Sequence, residues 1–534
     1  MIEKLLVANR GEIALRVFRA CRELGIATVA VVAPNDTGSL HARSADETVE
    51  VLSYLFSEEH IRAAKQAGAD AIHPGYGFLA ESPDFAEAVE AAGLVFVGPS
   101  PEALRAGGDK LESKRIAAHA GVPVVPTGEP EEVGFPLIVK AAAGGGGRGM
   151  RVVRSPTELD DALEAAGREA KAAFGDERVF CERYVERPRH VEIQVLADGN
   201  GAVVALGERE CSVQRRHQKV LEESPVLSPE LRERMSEAAL AFARAIGYRS
   251  AGTAEFMVDD GDFSFLELNG RIQVEHPVTE AVTGVDLIQQ QILIAQGESI
   301  DATSPLLQGH AVEVRLYAED PETFFPQTGR IDRLRLPGDI RVDAGVEEGD
   351  EVGVGYDPMI AKLIAHGRTR EESFDRMRRA LDETEVEGLT TNLPFLRWLV
   401  RHPVVRAGEA TTAFLVEYPP LSRPPERLPD RAWRGPWRLN LPRPEPTPLP
   451  SSDGAHEHGP GHEQSSLTAP MPGTVIRVLV AEGESVRPRQ ALLVLEAMKM
   501  ETPITSPYEA TVQKVHVAEG DRVEGGALLL ELEE

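Results

Sequence analysis

Apolar positions in the first hundred residues change period in a regular way. Leu5 to Ala8 is a short apolar run; Ile13, Val17, Ala20, Cys21 and Leu24 then recur at helical spacing up to Gly25, and Ala27 to Val32 is apolar again. A continuous short run reads as a buried strand and a period near 3.6 as a helix. Strand, helix and strand in quick succession predict a βαβ unit within an open α/β domain. Asn9 is placed to cap the helix and Gly25 to end it. The alternation continues to residue 113, which predicts a first domain over 1–113. Over 114–328 the pattern shifts to paired strands and hairpins with interspersed helices, including a glycine-loop lid at about 130–203, and 329–418 reads as a mixed α+β region.

Residues 467–534 repeat themselves. Thr474, Val475, Val478, Val480, Ala481, Glu482, Gly483, Val486, Leu492, Leu493, Leu495 and Glu496 recur 37 positions later as Thr511, Val512, Val515, Val517, Ala518, Glu519, Gly520, Val523, Leu529, Leu530, Leu532 and Glu533. Alternating valines with a turn at each Glu-Gly predict an all-β flattened sandwich with quasi-twofold symmetry. The two copies are joined at one end by Glu496-Ala497-Met498-Lys499-Met500-Glu501. The preceding 419–466 is a linker: 11 of the 38 prolines fall in 419–450, which rules out a helix or central strand there. As a coil it spans on the order of 40 Å. Trp433 and Trp437 within it predict docking on a folded domain, whereas His456, His458 and His462, set among Gly and Pro, read as a disordered tract and not as a metal site.

With 534 residues the chain can bury several separate cores. Its 57 Lys+Arg against 86 Asp+Glu give a net charge of −29, which argues against a nucleic-acid or anionic-membrane surface and confines any bound phosphate to a local basic pocket. Cys21, Cys181 and Cys211 are far apart and show no metal-ligand spacing, as suits a reducing compartment. Met1 to Val7 is too short for a signal peptide, and no run approaches the ~18 apolar residues of a membrane span, so the expectation is a cytoplasmic protein. Only ten residues are lysine, so Arg is the default cation and a lysine within a motif carries weight. Lys499, at the tip of the repeat's turn between two methionines, is the most conspicuous, and reads as an amine displayed for acylation.

Three stretches carry candidate chemistry. Gly144, Gly145, Gly146 and Gly147 lie in a formal G-x-G-x-x-G, but no helix or Gly-Lys-Ser/Thr follows, so a hairpin lid whose N–H groups close over phosphates fits better than a dinucleotide site or P-loop. Glu267, Asn269, Arg271, Gln273 and Glu275 alternate with Leu266, Leu268, Gly270, Ile272 and Val274, predicting an extended strand with acid, amide and Arg on one face. Upstream, Gly252 to Val258 and Phe263 to Leu268 predict a hairpin with a three-residue loop, Asp260-Gly261-Asp262, which sets Glu255 opposite Glu267. Carboxylates that close, with Asn269 beside them, suit Mg²⁺ (or Mn²⁺) bridging nucleotide phosphates. Gln214-Arg215-Arg216-His217-Gln218-Lys219 is a basic stretch suited to focusing an anionic substrate.

Glu-Ala-Met-Lys-Met within a repeated β-sandwich resembles the biotinyl domain of biotin-dependent carboxylases; lipoyl domains share the fold but typically carry Asp-Lys-Ala at the turn. Asn9 to Ala14, His73 to Phe78, Gly108 to Lys110, Arg148-Gly149-Met150, Pro188 to Glu192, Gln214 to Lys219 and Arg271 to Glu280 resemble the ATP-grasp biotin carboxylase family. The implied architecture is α/β and α+β multidomain: a Rossmann-like pre-ATP-grasp domain, an ATP-grasp domain, a biotin carboxylase C-terminal domain, then the linker and the all-β biotinyl sandwich. Carried over residue by residue, Lys110, Lys140, His190, Gln214 and His217 resemble ATP contacts, with the backbone from Glu182 to Val185 along the adenine. Glu255, Glu267 and Asn269 resemble the metal site; Arg271, Gln273 and the Val274 backbone the bicarbonate cradle; Glu275 the base; and Lys219 and Arg341 the groups that hold carboxyphosphate and the biotin enolate. The chain departs from the pattern at Gly270, where a side chain is usual, and at Ala143, which shortens the glycine run.

The resemblance implies ATP- and bicarbonate-dependent carboxylation of biotin linked to Lys499, through carboxyphosphate. It further implies a biotin protein ligase, a separate carboxyltransferase (beta) subunit acting on acetyl-CoA or propionyl-CoA with a lean to the latter, and a homodimer of the carboxylase part. The competing readings are another ATP-grasp carboxylate–amine ligase, which leaves the biotinyl tail unexplained, and a biotinylated carrier with an inactive ATP site.

Overall fold

The structure, a computed structural model, describes residues 1–142, 150–174, 176–215, 218–353, 355–422, 465–469, 473–487, 490–497, 500–523 and 526–533. Gly144 to Gly147, His217, Lys499, Trp433, Trp437 and the three linker histidines lie outside these residues.

The opening alternation forms a five-stranded parallel sheet in the order Glu47–Glu50, Ala27–Val32, Lys4–Val7, Ala71–His73, Val95–Phe96. Strand order reverses at Lys4–Val7, so a crevice opens at the carboxyl ends of Lys4–Val7 and Ala71–His73. Asn9 stands in that crevice and does not cap the following helix, Gly11–Glu23, whose N-cap is Arg10. Its Nδ2 donates instead to the carbonyls of Pro74 (2.8 Å) and Tyr76 (2.7 Å). Gly75, at φ 65°, presses on it: a Cβ there would lie 2.7 Å from Asn9 Nδ2.

The largest sheet among the described residues is an antiparallel eight-stranded one, ordered Asp262–Asn269, Arg249–Asp259, Arg189–Asp198, Val203–Arg215, Gln218–Ser224, His310–Tyr317, Met359–Gly367, Arg341–Ala344. It takes strands from both sides of residue 328, because His310–Tyr317 pairs along its whole length with Met359–Gly367. The strand period decides what each face buries. Val191, Ile193 and Val195 pack with Met235, Ala239 and Phe242 of helix Pro229–Ala245, while the intervening Glu192 and Gln194 point to the other face, also fully buried. That second face is polar and covered.

A smaller four-stranded sheet, Thr127–Gly128, Val179–Arg183, Leu137–Ala141, Arg151–Val153, packs Leu137, Val139 and Val153 against Ala162 and Ala166 of helix Leu159–Phe174. Leu137 pairs with Val153 and Val139 with Arg151, so the strands flanking the glycine run form a hairpin.

Two further expectations differ from the structure. The loop between Arg249–Asp259 and Asp262–Asn269 has two residues, Asp260 and Gly261, both at positive φ (46° and 87°), the geometry of a type I′ turn. Val258 therefore pairs with Phe263, and a β-bulge between Glu255 and Phe256 shifts the register by one, so that Glu255 still faces Glu267. The edge strand also ends at Asn269: residues 270–275 leave the sheet, fold over its polar face and enter helix His276–Thr283, with Pro277 in its first turn. Gly270 marks the departure. A Cβ there would lie 2.9 Å from Leu104 Cδ2 and 3.7 Å from Pro99 Cγ, so its bare Cα fits close packing on the apolar side.

The C-terminal repeat folds as two four-stranded sheets. One is ordered Ser465–Thr468, Leu528–Glu533, Ala510–Val515, Ser485–Val486; the other Met500–Thr505, Ala491–Ala497, Gly473–Val478, Arg522–Val523. Each includes strands from both copies, and the equivalent pairs Val475 and Val512, Leu493 and Leu530, Leu495 and Leu532 share one core. The symmetry extends to the turns: Glu519 accepts from Val478 N (3.1 Å), as Glu482 does from Val515 N (3.2 Å). Ala497 pairs with Met500, the two residues that flank 498–499 in sequence.

Candidate active site

The covered polar face of the central sheet is organised around Arg209, which is fully buried. Its Nε donates to Glu192 Oε1 (2.6 Å), Nη1 to Gln194 Oε1 (2.6 Å) and Thr279 Oγ1 (2.7 Å), and Nη2 to Thr253 Oγ1 (3.2 Å) and Gln273 Oε1 (3.0 Å). All five guanidinium donors are satisfied, as a buried cation requires. Through these bonds three strands, the 270–275 turn and helix His276–Thr283 are tied to one group.

Lys219, on strand Gln218–Ser224, reaches three carboxylates: Glu192, Glu255 Oε1 (2.8 Å) and Glu275 Oε1 (2.6 Å). Burial disfavours its charge, but the three anions outweigh that and hold the amine protonated. Glu275 occupies the N-cap position of helix His276–Thr283 without capping it; its second oxygen accepts from Arg315 Nη2 (2.9 Å). Burial works against ionisation, yet Lys219, Arg315 and Arg209 hold the Glu275 carboxyl well below the usual carboxylate range. Glu255 Oε1 also accepts from Asn269 Nδ2 (2.9 Å) and Gln273 Nε2 (2.8 Å), while Oε2 faces His190 Nε2 at 2.9 Å. Despite burial, Lys219 and His190 keep Glu255 ionised as well. Gln214 Nε2 meets His190 Nδ1 at 2.8 Å, which sets the ring's orientation.

Arg271 donates to Asn269 Oδ1 (3.0 Å) and pairs with Glu81 (3.0 Å). The Val274 carbonyl accepts from Lys362 Nζ (2.9 Å), itself 3.2 Å from Glu12. Arg341 joins from its edge strand, paired to Glu280 (2.7 Å) and Asp343 (2.6 Å). Lys110 begins helix Lys110–His119 and lies 3.9 Å from Glu267. Lys140 and Lys114 both pair with Glu182, whose side chain is fully buried.

The expected metal ligands are of the type a hard cation takes, with Glu255 paired here to Lys219 and His190 and Asn269 Oδ1 accepting from Arg271. Glu255 and Glu267 face each other across the ladder with Asn269 next on the same face, an all-oxygen donor set. Glu267 is 36% exposed and has only Lys110 as an ion-pair partner among the described residues, so its oxygens remain open to coordination. His190, Glu192 and Glu255 also bring ligand atoms within 4.8 Å, but Glu192 is engaged by Arg209 and Lys219.

The structure thus brings together Lys219, Glu255, Asn269, Gln273, Glu275 and His190, and places Lys140 and Glu182 on the smaller four-stranded sheet and Lys110 at the start of helix Lys110–His119. Five further residues, Glu192, Arg209, Arg315, Lys114 and Lys362, were not anticipated. Lys114 and Lys362 carried a signal, since both belong to the ten lysines and Lys362 sits inside an apolar strand, Met359–Gly367. For Arg209, Glu-Arg-Glu on a strand reads locally as a solvated face, and only the overlying turn and helix bury it.

Four family descriptions match along the chain: "Biotin carboxylase, N-terminal domain" over 1–104, "Carbamoyl-phosphate synthase L chain, ATP binding domain" over 109–303, "Biotin carboxylase C-terminal domain" over 313–417, and "Biotin-requiring enzyme" over 465–532. Among curated relatives, the biotin carboxylase of Halalkalibacterium halodurans is 48% identical over 443 residues, 78% of this chain and 98% of the relative. The biotin-dependent acyl-coenzyme A carboxylase alpha3 subunit of Mycobacterium leprae is 42% identical over 94% of both chains. Among solved structures, the Campylobacter jejuni biotin carboxylase–β,γ-ATP complex is 40% identical with a TM-score of 0.77, covering 78% of this chain and 99% of that one. The biotin carboxylase domain dimer of Hydrogenobacter thermophilus 2-oxoglutarate carboxylase, with MgADP and bicarbonate, is 44% identical with a TM-score of 0.76 over 78% and 98%. An ionised carboxylate held against Lys219 and flanked by oxygen-bearing side chains, in a chain of this descent, makes the protein a member of the biotin carboxylase family: an ATP-dependent ligase that carboxylates biotin and carries a biotinyl domain on the same chain.

Proposed function

We propose that the chain performs the first half-reaction of an acyl-CoA carboxylase, carboxylating biotin borne on Lys499 at the expense of ATP and bicarbonate. Bicarbonate is a poor electrophile, and conversion to the mixed anhydride carboxyphosphate activates it. Arg271, Gln273 and the Val274 backbone hold bicarbonate; Glu275 takes its proton as its oxygen attacks the γ-phosphorus and ADP leaves. Lys110, Lys140, His190, Gln214, His217 and the backbone at Glu182 bind the nucleotide, with the Gly144 to Gly147 loop closing over its phosphates. Glu255, Glu267 and Asn269 would hold Mg²⁺, which supplies charge offset at the phosphate oxygens. Lys219 and Arg341 hold carboxyphosphate and the biotin enolate. Carboxyphosphate then yields CO₂ and phosphate, the phosphate takes the ureido proton, and the ureido nitrogen adds to the carbon of CO₂ to give carboxybiotin.

The observation that carries this reading is Glu275: an ionised carboxylate placed by Lys219 and Arg315 on the same turn as Arg271 and Gln273. ATP cleavage by the full chain with free biotin is expected to depend on bicarbonate and to fall at least a hundredfold in Glu275→Gln, within the range of a lost general base. Cleavage that ignores bicarbonate, or survives the substitution, overturns it. Intact mass before and after incubation with a biotin protein ligase tests Lys499, with Lys499→Arg as the control.

Acyl transfer by a separate carboxyltransferase subunit is supported by the relatives named as subunits or chains of larger carboxylases, among them the propionyl-CoA carboxylase alpha chain of Ruegeria pomeroyi, 46% identical with 68% of its length covered. A short acyl-CoA, with propionyl-CoA favoured over acetyl-CoA, is the proposed final acceptor. Dimerisation of the carboxylase part is supported by the Hydrogenobacter domain dimer. A cytoplasmic location accords with the absence, among the described residues, of any helix long and apolar enough to cross a membrane.

A further inference from the structure

Glu182 was expected to matter for its backbone, yet its side chain is fully buried between two amines. Lys140 comes from strand Leu137–Ala141, and Lys114 lies one turn beyond Lys110 on helix Lys110–His119. Lys114 is 8% exposed and its amine stands 5.8 Å from the centre of the Phe180 ring, so it has no route to solvent comparable with that of a surface lysine. Thr127 Oγ1, at 3.5 Å, adds only a long hydrogen bond to the same carboxylate. A buried carboxylate stripped of its cation is strongly penalised, whereas one that keeps a cation is not. One amine suffices to neutralise Glu182, and two are present.

We propose that Lys114 is the resident counter-ion of Glu182 and thereby a positioning residue for ATP, because it leaves Lys140 free to move from Glu182 to the nucleotide's phosphates. The inference rests on the reading of Lys140 as a nucleotide contact. Without Lys114, Lys140 is the sole partner of a buried anion and is retained there.

Steady-state ATP kinetics of the full chain, with free biotin and saturating bicarbonate, test this. Lys114→Met is expected to raise KM for ATP at least tenfold while kcat stays within threefold; Lys114→Arg should stay within threefold of the parent in KM. Removing the anion removes the need for its counter-ion, so Lys114→Met with Glu182→Gln should match Glu182→Gln alone within threefold. The double variant also carries the test if Lys114→Met by itself does not fold. An unchanged KM in Lys114→Met, even with a lowered Tm, shows a merely structural lysine and overturns the proposal, as does a double variant whose KM stays tenfold above that of Glu182→Gln. Lys140→Met separates the two layers: if its KM for ATP is unchanged, the reading of Lys140 as a nucleotide contact fails with it; if it rises while that of Lys114→Met does not, only the role of Lys114 fails.

Discussion

Glu275 has one oxygen on Lys219 and the other on Arg315, and Arg315 Nη2 is shared with Glu222 (2.5 Å). Two cations hold the base ionised, so its protonation sets an acid limit on activity far below neutrality. Arg315→Met removes one of them and leaves Lys219 in place. The acid limb of the kcat profile should then move to higher pH by about one unit or more, as expected for the loss of one adjacent opposite charge. A lowered kcat with an unmoved limb would show that Arg315 acts on packing alone. Much of this residue-scale chemistry was legible: Glu255, Asn269, Gln273 and Glu275 stand together in a short stretch of sequence or its hairpin partner. Arg315 was not, because nothing near it in sequence marks it; its partners Glu222 and Glu275 lie 93 and 40 positions away.

At the scale of elements, alternation of apolar and polar residues placed Glu255 opposite Glu267, but by a different route from the one expected. A two-residue turn alone would have paired Glu255 with Leu266; the bulge restores the polar pair. Bulge and turn together decide the register; Asp260-Gly261 is itself a strong type I′ signal, whereas nothing in the local sequence marks the bulge. The continuation as a strand to Glu275 failed for a related reason: period two persists in a chain segment whether or not a neighbouring strand remains to pair with it. Gly270, where the chain leaves the sheet, is the element-scale test. Gly270→Ala pushes a methyl onto Leu104 and should lower stability by about 1–3 kcal/mol, the range for overpacking. In a Leu104→Ala background the penalty should largely vanish, a coupling read directly from urea midpoints of the four proteins. Equal penalties in both backgrounds would place the cost in the backbone.

For the whole molecule, burial sets the response to acid. His41 and His73 are buried and held neutral, burial pushing each down to about 4. Unfolded, each takes a proton near pH 6.5, so the unfolded state binds more protons and stability falls as pH drops from 6.5 to 4. Each histidine contributes a slope of up to about 1.4 kcal/mol per pH unit. The urea midpoint followed by circular dichroism should therefore be lower at pH 5.0 than at pH 7.5, and His73→Gln should flatten the difference. A midpoint independent of pH over that range would show that the two histidines are solvated.

The sequence by itself determined the α/β opening, the repeated β-sandwich and the short motifs, and its charge of −29 leads one to expect any phosphate to be bound in a local basic pocket. These follow from local period, internal repetition and composition, each of which is complete within a short window. Only the tertiary structure decided which charges are buried. Arg209 looks like a surface cation along the chain, and Lys114 and Lys362 are marked there only by the scarcity of lysine and, for Lys362, by apolar neighbours; all three become fixed groups of the site because strands and helices distant in sequence close over them. A buried charge is stable only with its counter-charges in place, and those arrive from other parts of the chain.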